Sequence, residues 1–170
     1  MIRTLDYRTA LEWIADFMMQ SDQSWHQLAY YRPLNVLVSI TSKHLMEVDE
    51  PGLVRRLERQ SRKMVEEFSR GSDDFIVFPS LRDEERKAVI EEFISQLPSP
   101  KKELYAERWK RDSKRILENW RPSAIYMMFE SEEDRRNWED AVCRKLESAI
   151  DAFANKHGID LLSLSCKYLQ

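Results

Sequence analysis

The chain has 170 residues, 42% hydrophobic and 34% charged, which is enough apolar matter for a real core without disulfide or metal staples and leaves no run that approaches a bilayer span. Net charge is −3, from 27 basic and 30 acidic residues, so a nucleic-acid partner would have to be met by a local patch and not by bulk charge. The three glycines, Gly52, Gly71 and Gly158, are too few and too scattered for a phosphate-cradling loop, which disfavours most nucleotide enzymes.

Near the start, Leu11, Ile14, Ala15 and Met18 recur at helical spacing, widened by Tyr7, Trp13 and Phe17, and predict a first amphipathic helix. Its acidic residues Asp6, Glu12 and Asp16 argue against a secretion or transit signal, so a cytoplasmic protein is expected. The stretch 25–48 is broken at Pro33. Beyond it Leu34, Leu37, Val38, Thr41, Leu45 and Val48 keep a helical period, so a helix is expected, with a strand over 36–40 as the alternative its β-branched residues raise. Asp49 and Pro51 signal a third helix with Leu53, Leu57, Met64 and Phe68 on its apolar face, and Gly71 is placed to cap it.

Residues 75–78 form a short apolar run ended by Pro79, the pattern of one buried strand. Ser80 and Asp83 have capping-box spacing, and Ala88, Val89, Phe93 and Leu97 carry a fourth helix to Pro98. Pro98, Ser99 and Pro100 are the one linker-like trio, separating a half of net −4 from a half of net +1. A single domain over 1–170 is expected, with that trio as its sub-boundary if it has one. Ser99 and Pro100 then read as N-cap and first residue of a fifth helix with Tyr105, Trp109, Ile116, Leu117 and Trp120 inward. Residues 124–129 are a second strand candidate. Ser131 and Asp134 open a long helix through Trp138, Val142, Leu146, Ala149, Ile150 and Phe153, ended by Gly158. Over 159–169, Leu162, Leu164, Cys166 and Tyr168 alternate with Ser163, Ser165 and Lys167 as in a half-buried strand. The expected fold is therefore α+β and mainly α-helical, about six helices with a small sheet of about three short strands.

Two arginine stripes and one aromatic cluster stand out. Arg55, Arg59 and Arg62 share one face of the third helix, and Arg108, Arg111 and Arg115 one face of the fifth; side by side they would frame a groove for phosphates, because guanidinium forks pair oxygens bidentately. The competing reading is a solvated face, since Glu66, Glu107 and Asp112 stand one turn from these cations. Trp25, His26, Tyr30, Tyr31 and Arg32 precede Pro33, and Trp, Tyr and Arg are the types that dominate binding hot spots. Their alternative role is aromatic filling at a junction between elements. The acidic run 130–140, net −4, suits the start of the long helix through the helix dipole.

Catalytic patterns are poor. His26, His44 and His157 are far apart in sequence, and His44 with Glu47 is the one metal-like pair. Asp73, Asp74, Glu85 and Lys87 have the residue types of a metal-dependent nuclease, but Glu85 and Lys87 fall on a helix and not on a strand edge. Cys143 and Cys166 lack metal or redox spacing and fit a reduced interior. No GxSxG nucleophile motif occurs. No enzyme activity, cofactor, metal or membrane partner is expected. The expected function is binding of another protein, as a small inhibitor, immunity protein, adaptor or complex subunit, anchored by Trp25, Tyr30, Tyr31 and Arg32. The alternative is a nucleic-acid-binding accessory protein that uses the two arginine stripes.

Overall fold

A computed structural model describes residues 2–20, 26–49, 58–118, 125, 127–167 and 169. In chain order these form β1 (Ile2–Thr4), α1 (Tyr7–Met18), β2 (His26–Tyr31), β3 (Val36–Thr41), α2 (Ser42–Asp49), α3 (Arg59–Ser69), β4 (Phe75–Val77), α4 (Asp83–Gln96), α5 (Lys101–Glu118), α6 (Glu132–His157) and β5 (Ser165–Lys167). The fold is α+β and mainly helical. The sheet has five strands and not about three, in the order β1-β5-β3-β2-β4. All pairings are antiparallel except that of β3 with β5.

The strands missing from the expected set are β1 at one edge of the sheet and β2 and β3 in its middle. Residues 34–48 do not form one helix: β3 occupies 36–41 and α2 follows it, so the strand alternative is the one realised. Val36, Leu37 and Val38 are all fully buried, because a central strand is covered on both faces. Such a strand loses its period-two alternation, and a helical period then fits it by coincidence. β2 is hidden for the same reason, with Leu28, Ala29 and Tyr30 consecutively buried. Two other expected strands shrink or vanish. Residues 127 and 128 are in a turn and Ile125 is helical, so the described part of 124–129 is not strand, while 159–169 pairs, among the described residues, over Ser165–Lys167.

Helix limits follow local signals. Gly71 and Gly158 are left-handed, with φ of 72° and 67°. Each closes its helix as expected: after α3 the Ser72 N–H reaches the Glu67 carbonyl, and after α6 the Ile159 N–H reaches the Ala154 carbonyl. Ser131 caps α6 by accepting the Asp134 N–H at 3.1 Å. α4 is not capped by Ser80: it starts later, and Glu85 reaches back to accept the Arg82 N–H at 2.8 Å.

The described chain divides into two compact units, one of Met1–Ile14, Gln23–Pro79 and Asp151–Gln170, the other of Ala15–Asp22 and Ser80–Ile150. The limits fall within α1 and α6 and beside Pro79, while 98–100 lies inside the second unit. The first unit holds the sheet. On one face Val36, Val38 and Ile40 pack with Met64 of α3, flanked by Tyr31, Leu45, Phe68 and Phe75. The second unit holds an aromatic cluster in which Phe129 meets Phe93 and Tyr105 edge to face at centroid distances of 5.6 and 5.2 Å and Trp138 at a tilt at 5.9 Å.

A carboxylate buried in this unit is satisfied from three sides. Asp134 accepts Lys101 Nζ and the Tyr105 hydroxyl, each at 2.7 Å, and lies at the positive end of α6. Burial by itself would raise its pKa, but these donors more than offset that and hold the carboxyl below its usual range.

Candidate functional site

β4 is an edge strand, and the sheet ends on it. Arg32 N–H donates to the Asp74 carbonyl and Phe78 N–H to the Leu28 carbonyl, so residues 74, 76 and 78 turn their backbone groups toward β2. By alternation, the Phe75 carbonyl and both backbone groups of Val77 point outward, where none has a backbone partner among the described residues. Val77 is 41% exposed, which is high for a large aliphatic residue in a sheet. The usual protections of an edge, a charged side chain or a proline on the strand itself, are absent from Phe75, Ile76 and Val77.

Beside this edge lies an open groove of about 670 Å³, lined by Arg32, Phe68, Gly71 and Asp73 together with Phe75, Ile76 and Val77. The left-handed Gly71 ends α3 here and lets the chain turn directly into β4. Phe68 and Phe75 meet edge to face at 5.2 Å and give the groove an apolar wall. Arg32 is exposed and donates from Nη1 to the Asp73 carbonyl at 3.3 Å; no carboxylate pairs with it among the described residues.

The residues singled out as protein-binding therefore separate. Arg32 is at the groove. Tyr31 is one layer behind it, stacked on Phe75 at 4.6 Å and donating its hydroxyl to Glu67 at 2.8 Å. Burial, with the neighbouring Glu67 carboxylate, pushes that phenol up to about 12, so it stays a donor across the whole biological range. Tyr30 projects to the opposite sheet face, is buried, and donates to Asn35 at 3.0 Å. Trp25 lies outside the described residues. Phe68 and Val77 also belong to the groove, and the one signal for them in the sequence is the strand-like run 75–78 next to a helix end.

The arginine stripes lie in different units, α3 in the first and α5 in the second. Arg62 pairs with Glu66 at 3.0 Å, and Arg108 with Glu130 at 2.5 Å and the Met128 carbonyl at 2.8 Å. Arg111 and Arg115 both lean on Asp112, at 2.9 and 3.7 Å. Arg59 is exposed at the start of α3, and Arg55 lies outside the described residues.

One further pair emerges. His26 and Ser39, on neighbouring strands, share a hydrogen bond of 2.6 Å, and His44 on α2 lies close enough for the His26 charge to depress its pKa, after the larger effect of burial. Among the described residues no three His, Cys, Asp or Glu side chains gather as a metal site, and no helix is long and apolar enough to cross a membrane. Cys143 and Cys166 are both buried. No family model, curated protein or solved structure matches the chain.

Proposed function

We propose that the protein works by binding another protein, whose extended segment adds to the outer edge of β4 and places an apolar side chain in the adjoining groove. The observation that carries this reading is the unpaired edge itself: outward backbone groups of Phe75 and Val77, an exposed Val77 side chain, and an apolar wall beside them. Strand addition draws affinity from main-chain hydrogen bonds and selectivity from the pockets that receive alternate side chains. Arg32, at the mouth of the groove, is the hot-spot residue, and Tyr31 supports the Phe75 wall from behind. An adaptor, inhibitor or complex subunit would use such a surface, and it calls for no reacting group.

The test is affinity capture from the protein's own cell extract, with and without nuclease, comparing the wild type with Val77→Pro and Arg32→Ala. Proline at position 77 removes an outward N–H and leaves the bonds to β2 in place. The expected result is a stoichiometric protein partner that survives nuclease, is lost with Val77→Pro and is weakened about tenfold or more with Arg32→Ala, at unchanged melting temperature. A partner retained by both variants would place the interface elsewhere. Recovery that collapses with nuclease would favour nucleic acid and the arginine faces.

A further inference from the structure

The junction between β3 and α2 is capped by an imidazole. His44 is the third residue of α2, and its Nδ1 accepts the backbone N–H of Thr41, the residue before the helix, at 3.1 Å. This is the reach-back half of a capping box, with histidine in the place a glutamate or glutamine usually takes. A glutamine accepts that N–H at any pH, whereas an imidazole does so only while Nδ1 carries no proton. His26 pairs across the ladder with Thr41 itself and is bonded to Ser39, so the second imidazole sits beside the same junction.

We propose that His44 is a proton-released latch on α2. On acidification Nδ1 takes a proton from solvent, the Thr41 N–H loses its acceptor, and a cation stands at the positive end of the helix dipole facing a second histidine. The start of α2 then comes away from the end of β3. The charges around the site work the same way. Burial depresses both imidazoles below the ordinary histidine value, and His26 pushes His44 further in that direction. β3 brings only Ser39 and Thr41, and β5 brings Lys167, level with Val38 on the opposite sheet face. α2 brings Lys43 and, in sequence, Glu47 and Asp49. On α3, which packs on α2, Arg62 and Lys63 are paired to Glu66 and Glu67, and Arg59 stands at its start. Among the described residues, His26 is the charged group that acts on His44. Because the folded value lies below the unfolded one, the latch is whole above the ordinary imidazole range and is lost as pH falls through the depressed value.

The test is amide hydrogen exchange of the full chain by NMR, corrected for intrinsic rates, at pH 7.5 and pH 5. Thr41 protection is expected to fall about tenfold or more on acidification, because its N–H loses the one acceptor it has at the junction, while the β2–β3 ladder holds. His44→Gln should keep Thr41 protected at both pH values and His44→Ala at neither. His26→Gln should move the midpoint upward, and Glu47→Gln should leave the response in place. Equal Thr41 protection at both pH values, a response that survives in His44→Gln, or one that disappears in Glu47→Gln would overturn the proposal.

Discussion

Asn35 does the work of a whole loop. It holds φ 52° and ψ 48°, closing the β2–β3 turn, while its side chain accepts the Tyr30 hydroxyl at 3.0 Å and donates to the Ser163 carbonyl at 2.9 Å. Its carbonyl accepts the Ser165 N–H at 3.3 Å, so one residue ties the hairpin to the start of β5. Asn35→Ala adds left-handed strain to the lost side-chain bonds to Tyr30 and Ser163 and should lower unfolding free energy by about 2–3 kcal/mol in urea titration. Asn35→Gly removes the strain and should recover about 1 kcal/mol of that. The turn was legible in part, since asparagine after proline is a turn signal, but the helical period across 34–48 spoke against it. What Asn35 binds was not legible, because its partners lie far along the chain. Tyr30 and Tyr31 repeat the point. Their adjacency announces that they face opposite ways, and only the sheet decides that Tyr31 backs the groove while Tyr30 is covered.

At the scale of elements, β4 shows how a strand can be half committed. Ile76 pairs with Tyr30 and turns its N–H inward, while Val77 turns its own outward. Ile76→Pro should therefore cost about 3 kcal/mol or more, whereas Val77→Pro should leave the melting temperature nearly unchanged, a contrast that thermal unfolding of the two variants measures. If both were equally damaging, the outer edge of β4 would be covered and not free. The helices were more legible than the strands. Gly71, Gly158 and Ser131 mark their ends through bonds that span a few residues, and such signals need no tertiary partner. β2 and β3 obey no local rule, because a strand covered on both faces carries apolar residues at every position.

Across the whole molecule the titrating groups pull in opposite directions. Desolvation by the surrounding chain, with Glu139 nearby, raises the Asp16 carboxyl to about 6, although the residue keeps an exposed surface. A folded value above the unfolded one means that the native state holds the proton more tightly, so this charge opposes folding above about pH 6 and the penalty disappears below the ordinary carboxylate range. Asp16→Asn should raise stability at pH 8 by about 1 kcal/mol, a figure reduced for the solvent contact the residue keeps, and should have no effect at pH 3. Asp134 has the opposite sign. Its depressed value contributes stability above the ordinary range and loses it as pH falls further, so chemical denaturation as a function of pH should separate the two.

Composition, helix periodicity and end signals were sufficient to determine from sequence a mainly helical α+β protein, the course of α4 to α6 and the closures at Gly71 and Gly158, because each of those depends on residues within a turn or two of one another. Tertiary structure alone decided the five-strand order, the place of β4 at the end of the sheet, the separation of Tyr30 from Arg32, and the meeting of His26, Ser39 and His44. Those depend on pairing between distant segments and on burial from both sides, and neither leaves a period in the chain.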